Sequence, residues 1–250
     1  LPQNRPPVVA IVGARRCTKY GEDMAYRAAY DLASHGFVIV SGMAYGIDAC
    51  AHRGCLDAGG ITIAVLGTAA DKLYPRSNFG LAQRILEKGA IISEYPPGFE
   101  TKAYCFVERN RIVSGLADAI LVVEAANHSG TFSTYDYAAK QGKAAFAVPA
   151  DVTRPMSAGT NEMLRAGAHP YIDASDILNF YGIESKKTER DLSGLNETER
   201  EVYRLIASGI GDADTIVEKL GISAVDFNCA ITTLELGDYV LRLDQTWAAR

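Results

Sequence analysis

Two arginines and a lysine stand just behind the glycine that closes the first apolar run: in GARRCTKYG, Gly13 is followed by Arg15, Arg16 and Lys19 around the start of a helix. A helix N-terminus offers free backbone N–H groups and the positive end of the macrodipole, and basic side chains beside it make an anion site. The spacing is not that of a dinucleotide fingerprint, which needs a second and a third glycine in register, where this chain has Ala14 and Arg15 next. Three more segments have the same character. SGMAYGID holds Ser41, Gly42 and Gly46, whose glycines let backbone approach a ligand closely. GTAADKLYPRSNFG is the next, and HSGTFST places Ser129, Gly130 and Thr131 at another helix start. Singly, each also reads as a tight turn or a solvated cap; four together predict a phosphate-lined groove.

Other chemistry-bearing residues divide between two readings. In FVERNRIVSG, Arg109 and Arg111 flank Asn110. Helical positions two apart point in different directions, so one arginine is expected to hold a carboxylate or the fold and the other to face the groove. Glu94 and Glu124 close strand-like runs and read either as a catalytic carboxylate pair or as buried acids that pair with arginines or cap helices. Asp48 and His52 lie four apart on one helix, which predicts a hydrogen bond between them rather than a metal site, since no third ligand accompanies them. Tyr135 and Tyr137 fall on opposite helix faces, so at most one can reach the groove as a stacking platform.

Residues 8 to 173 supply the elements that must position these groups. Short Val- and Ile-rich runs recur (PVVAIVGA, FVIVSGM, ITIAVLGT, AIISEYP, AILVVEA, AAFAVPA and a shorter HPYID), each followed by a turn and most by a segment of helical period. Runs apolar on both faces are the mark of buried parallel strands. Between the first two, a helix opens at Thr18, places Met24, Ala28 and Leu32 on one face and stops at Gly36. The alternation predicts an α/β fold with a doubly wound parallel sheet, in which ligands bind beyond the carboxyl ends of the strands. The polar, aperiodic stretch 183–194 is the expected linker between a Rossmann-like domain, 1–182, and a small domain, 195–250. In the latter, Asn196 and Glu199 outline a capping box, and the order helix, helix, turn, helix, strand pair is that of a winged helix.

Composition narrows the classes. At 250 residues, 48% hydrophobic and 22% charged, the chain has the make-up of a folded protein rather than a disordered one. No apolar run approaches the ~18 residues of a membrane helix, and LPQNRPP lacks the pattern of a signal peptide, so a cytoplasmic protein is expected. Five scattered cysteines without a CxxC pair encode neither a disulfide framework nor a zinc site. The net charge of -5 is unevenly placed: residues 191–250 hold eleven acids and five bases, net -6, leaving nineteen acids and twenty bases, net +1, for residues 1–190.

The motifs VGARRCTKYG, SGMAYGIDACAH, IAVLGTAADKLYPRSN, SEYPPG, FVERNRIVSGLADAILVVEA, SGTFSTYDYA and SAGTNEMLRAGA, in this order, resemble the DprA (Smf) family of DNA-processing proteins. The resemblance covers residues 8 to about 173. It implies an extended Rossmann fold that binds single-stranded DNA in natural transformation, protects it and loads the recombinase RecA, with a homodimer formed through the Rossmann domain, no cofactor, no metal and no enzymatic activity. Family members often carry a helical domain first, and the abrupt start here suggests a trimmed or short N-terminus. By motif, Arg15 corresponds to an arginine contacting the DNA backbone, and Arg76, Asn78 and Phe79 match a second contact segment in which the family usually has lysine for Arg76. Phe79 then reads as a base-stacking residue or, from its place at a helix start, as core packing. Four residues depart from the family pattern: Ala14 for serine, Val107 for proline, Tyr135 for a small residue and Ala150 for glycine, of which Ala14 and Tyr135 are expected at the groove.

A nucleotide phosphoribohydrolase of the lysine-decarboxylase-like (LOG) family is the alternative. It would need a PGGxGTxxE segment, whose glutamate supports an oxocarbenium-like transition state, and here Thr134 stands in that glutamate's place. A dinucleotide-dependent oxidoreductase fails on the missing fingerprint.

Overall fold

A computed structural model of the chain describes residues 5–127, 129–183, 192–237, 239–243 and 246–249. The chain divides into two compact units, 1–186 and 187–250.

All seven apolar runs of the first unit form strands: β1 (Val8–Val12), β2 (Val38–Ser41), β3 (Thr62–Leu66), β4 (Ala90–Ser93), β5 (Ala119–Val122), β6 (Ala144–Ala147) and β7 (His169–Pro170). They make one parallel sheet in the order β4-β3-β2-β1-β5-β6-β7. The chain winds outward from β1 to one edge, returns to lay β5 against β1 with Val9 opposite Ala119, and winds outward the other way. The β1/β5 seam is therefore the topological switch point, where adjoining strand-end loops diverge and leave a crevice.

Helices cover the sheet: α1 (Lys19–Ser34), α2 (Ile47–Asp57), α3 (Phe79–Lys88), α4 (Ala103–Glu108), α5 (Asn110–Leu116), α6 (Thr131–Lys140), α7 (Ala158–Arg165) and α8 (Ala174–Phe180). Helix α1 begins where expected, with Thr18 Oγ1 accepting from Gly21 N at 3.2 Å, and buries Ala28 and Leu32. One core packs Ile11, Ile39, Leu121 and Phe146 against α1, α2 and α8, and a second packs Val12, Val65, Ile120 and Val122 against α5, α6 and α7.

The second unit has its own core of Leu195, Val202, Ile206, Ile216, Phe227, Ile231, Leu234 and Val240. It contains α9 (Glu197–Ala207), α10 (Ala213–Leu220), α11 (Ala224–Leu236) and an antiparallel hairpin of β8 (Val240–Leu243) and β9 (Thr246–Ala249), with one further bridge between Asp212 and Thr246. The capping box is present: Asn196 Oδ1 accepts from Glu199 N at 2.9 Å, and Glu199 Oε2 from Asn196 N at 2.8 Å. Of the expected linker, 184–191 lie outside the described residues; Ile183 packs on the first unit's core and Leu192 on the second's. No helix among the described residues is long and apolar enough to cross a membrane.

Candidate nucleic-acid interface

A cavity of about 590 Å³ opens at the switch point, walled by the loops after β1, β2 and β5 and by the α4–α5 segment. Of the sixteen residues expected to bind nucleic acid, nine line it: Gly13, Arg15 and Arg16 from the first loop, Gly42 from the second, Arg109 and Asn110, and Ser129, Gly130 and Thr131 at the start of α6. Its formal charge is set by Arg15, Arg16 and Arg109 against the single carboxylate of Asp48, three minus one, or +2.

Glu124 holds the arginine-bearing loop in place. It is buried at the end of β5, and its carboxylate accepts from Thr18 N at 2.8 Å and from Thr18 Oγ1 at 2.5 Å, while its carbonyl accepts from Ala14 N at 2.8 Å. Glu124 thereby ties Thr18, the cap of α1, to the β5 end, and Arg15 and Arg16 are left exposed. In the second loop, Asp48 Oδ2 accepts from Gly42 N at 3.1 Å and Ala44 N at 3.2 Å. A Cβ on Gly42 would overlap the Arg109 guanidinium, and one on Gly46, which turns into α2 at φ +70°, would overlap the Ala14 carbonyl, so a side chain at the first displaces the arginine and at the second strains the turn.

Arg109 and Arg111 diverge as expected. Arg109 is buried; its Nη1 donates to the carbonyls of Gly42 and Val65, and its Nε donates to Asn110 Oδ1 at 3.1 Å. Asn110 in turn donates to Ser133 Oγ at 2.8 Å, tying the guanidinium to the first turn of α6. Burial pulls the Arg109 pKa down and neighbouring Asp48 opposes it; burial likewise pushes the Asp48 carboxyl up against the pull of Arg109. Arg111 points elsewhere and pairs with Glu94. Both acids considered as a catalytic pair are thus structural, and neither lines the cavity.

The other six sequence candidates lie outside the lining, as Arg111 does. Lys19 pairs with Asp23 at 3.0 Å and Glu22 at 3.5 Å on its own helix. Ser41 is buried and donates to Ile11 O at 2.6 Å. Gly46 serves the turn just described. Asn78 is buried, with Nδ2 donating to Met43 O at 3.0 Å, so it braces the β2 loop. Arg76 and Phe79 are exposed, and at 59% exposure Phe79 is not a core residue. The expected Asp48–His52 hydrogen bond is absent: His52 Nδ1 lies 2.6 Å from Thr62 Oγ1, and Asp48 turns to the backbone of its own loop. Of the departures, Ala14 and Val107 line the cavity, whereas Tyr135 packs on the second core.

Sequence reasoning missed two aromatic residues. Phe106 and Tyr74 line the cavity, and Arg15 Cζ sits 5.4 Å from the Phe106 ring centroid. The signal was present: Phe106, Arg109, Asn110 and Val113 recur at helical spacing, and Arg109 keeps helical dihedrals between α4 and α5, so one continuous face meets the cavity.

The fold and the cavity define a Rossmann-like α/β protein with a cationic crevice at its switch point. The chain belongs to the family of DNA recombination-mediator protein A, whose profile matches residues 1–182. It is 37% identical to a DNA processing protein DprA of Mycobacterium tuberculosis over 99% of this chain and 65% of that one, so it spans about two thirds of the relative's length. DNA processing protein A of Streptococcus pneumoniae superposes with a TM-score of 0.65 and 35% identity, covering 72% of this chain and 62% of that one. The protein of the same name from Helicobacter pylori, described for its single-stranded DNA binding mode, gives 0.65 and 34% over 70% and 80%. The description of the matching family is that of a DNA recombination mediator.

Proposed function

We propose that this chain binds single-stranded DNA along the carboxyl edge of its sheet, with phosphates held by Arg15 and Arg16 and by the backbone of Gly13, Gly130 and Thr131, while Gly42, tied to Asp48 and Arg109, shapes the floor. The observation that carries the reading is the convergence of three arginines and a helix start on one switch-point cavity, in a chain of a recombination-mediator family. Arg109 acts mainly as the brace that shapes the floor; Arg76 and Phe79, exposed on the third loop, extend the path beyond the cavity. Ser41, Gly46 and Asn78 serve by positioning these loops, and Lys19 and Arg111, paired with acids on α1 and at Glu94, add positive charge at the margin. The single-stranded DNA binding stated for the Helicobacter pylori relative supports the same ligand here.

The mediator role further implies that the bound strand is protected and handed to RecA in the cytoplasm, by a homodimer formed through the 1–182 domain. The linker 183–194 then leads to a winged-helix domain, 195–250, a reading supported by the helix, bridge, helix, helix, hairpin order of the second unit. A phosphoribohydrolase reading lacks its acid: Thr134 lines the cavity where the glutamate would stand, and Asp48 is committed to backbone amides.

Titrating the protein with single- and double-stranded oligonucleotides at two salt concentrations tests the reading. Preference for the single strand is expected, with affinity falling with salt at a slope near -0.7 per phosphate contacted, about one unit per contact or less. Equal affinity for duplex, or none for either, refutes it.

A further inference from the structure

We propose that Phe106 and Tyr74 form a nucleobase-stacking slot beside the phosphate-binding arginines, and that Arg15, which lies over the Phe106 ring, yields that face to the base when a strand binds. The inference rests on the single-strand reading above and adds to it a subsite for the base.

The Arg15 guanidinium is 5.4 Å from the ring centroid, inside the ~6 Å reach of a cation–π contact. Tyr74 meets the same ring at 5.5 Å between centroids and 55° between planes. Tyr74 is half exposed and Phe106 partly so, so both present apolar area to the cavity mouth beside a cluster of positive charge. The ring cannot retreat: a Cβ on Gly67 would stand 2.7 Å from Phe106 Cδ1 and 3.0 Å from its Cα, so Phe106 already lies against bare backbone. The small hollow that Arg15 shares with Tyr45, Tyr74, Pro75 and Phe106 offers only about 10 Å³, far too little for a base. The room for a base beside the ring lies in the open cavity, where Arg15 stands over the aromatic face.

The exchange favours both partners. Arg15 trades a cation–π contact at an exposed site for a charge-assisted hydrogen bond to phosphate, the stronger interaction. Phe106 trades a guanidinium for the π-face that every base presents, so the slot takes any nucleobase and reads little sequence. The arrangement couples the two: the arginine is released toward the backbone by the same event that fills the ring.

The test uses the full chain and two labelled oligonucleotides of equal length, one with bases and one abasic. Phe106→Leu keeps apolar bulk against Gly67 while removing the π-face. It should weaken binding of the base-bearing strand by between about fivefold and about a hundredfold and leave the abasic strand unaffected, whereas Arg15→Ala should weaken both. Phe106→Trp, in a Trp247→Phe background, should restore binding and have its emission quenched by the base-bearing strand alone. The inference is overturned if Phe106→Leu binds both strands as the parent does, or loses affinity for both equally. A parent protein that binds neither strand overturns the single-strand reading itself, which separates the two failures.

Discussion

Substituting methionine for Arg109 removes a guanidinium while keeping an apolar stem of similar reach, and it separates bracing from ligand binding within one cavity. Two buried carbonyls, of Gly42 and Val65, lose their side-chain donor, and a buried acceptor left without a partner costs about 1–3 kcal/mol. Asp48 also loses the neighbouring cation that opposes the effect of its burial. These losses overlap, because they describe one guanidinium, and protonation of Asp48 caps the second. We therefore expect destabilisation of the first unit by about 3–5 kcal/mol, within the range of about 2–6 kcal/mol for two stranded carbonyls. At about 2–4 °C per kcal/mol for a domain of this size, its melting transition should fall by on the order of 6 to 20 °C. Calorimetry on the full chain reads this transition, and Arg15→Ala, which alters an exposed side chain, is the control expected to melt with the parent. Adding Asp48→Asn to Arg109→Met should recover part of the loss by removing the stranded charge. If Arg109→Met melts with the parent and only binding suffers, Arg109 is a free ligand arm and the bracing argument is wrong.

Arg15→Ala should weaken single-stranded DNA binding by about 1.5–3 kcal/mol, the worth of one charge-assisted contact, and by more than Arg16→Ala does; equal, unchanged affinities in two folded variants would place the groove elsewhere. His52 is buried, and burial lowers its pKa from 6.5 to about 3. Because the folded value lies below the unfolded one, its contribution to stability is complete above about pH 6.5 and is lost as pH falls toward 3, at up to about 1.4 kcal/mol per pH unit. Urea midpoints should thus drop between about pH 6.5 and about pH 4 in the parent and stay flatter in His52→Phe, and parallel curves would contradict the assignment. Deleting residues 187–250, a compact unit whose segment from 191 is net -6, should leave single-strand affinity intact or raise it, since an acidic unit repels a polyanion. α11, the helix a winged helix would offer to a major groove, holds Asp226 and Glu235 and no basic residue, so a large loss of affinity on truncation would refute the charge argument.

The strands were legible because burial on both faces leaves a mark that needs no partner to read: seven apolar runs became seven parallel strands. The Thr18 cap and the Asn196–Glu199 box were legible for the same reason, since each closes within three residues. Helical geometry also foretold that Arg109 and Arg111 must diverge, but which turns inward depends on carbonyls 67 and 44 residues away, at Gly42 and Val65. Likewise Glu124, 106 residues from Thr18, became a loop anchor, and His52 chose Thr62 over Asp48 because the next strand passes alongside α2 and the Asp48 carboxylate is taken up by its own loop. Periodicity and capping are local, so the sequence by itself determined the class of fold, its strand-end loops and the residue types gathered there. The roles within the cavity, with Arg15 over Phe106, Arg109 as brace and Lys19 held by its own helix, depend on which distant groups crossover connections bring within a few ångströms, and only the tertiary structure decided them.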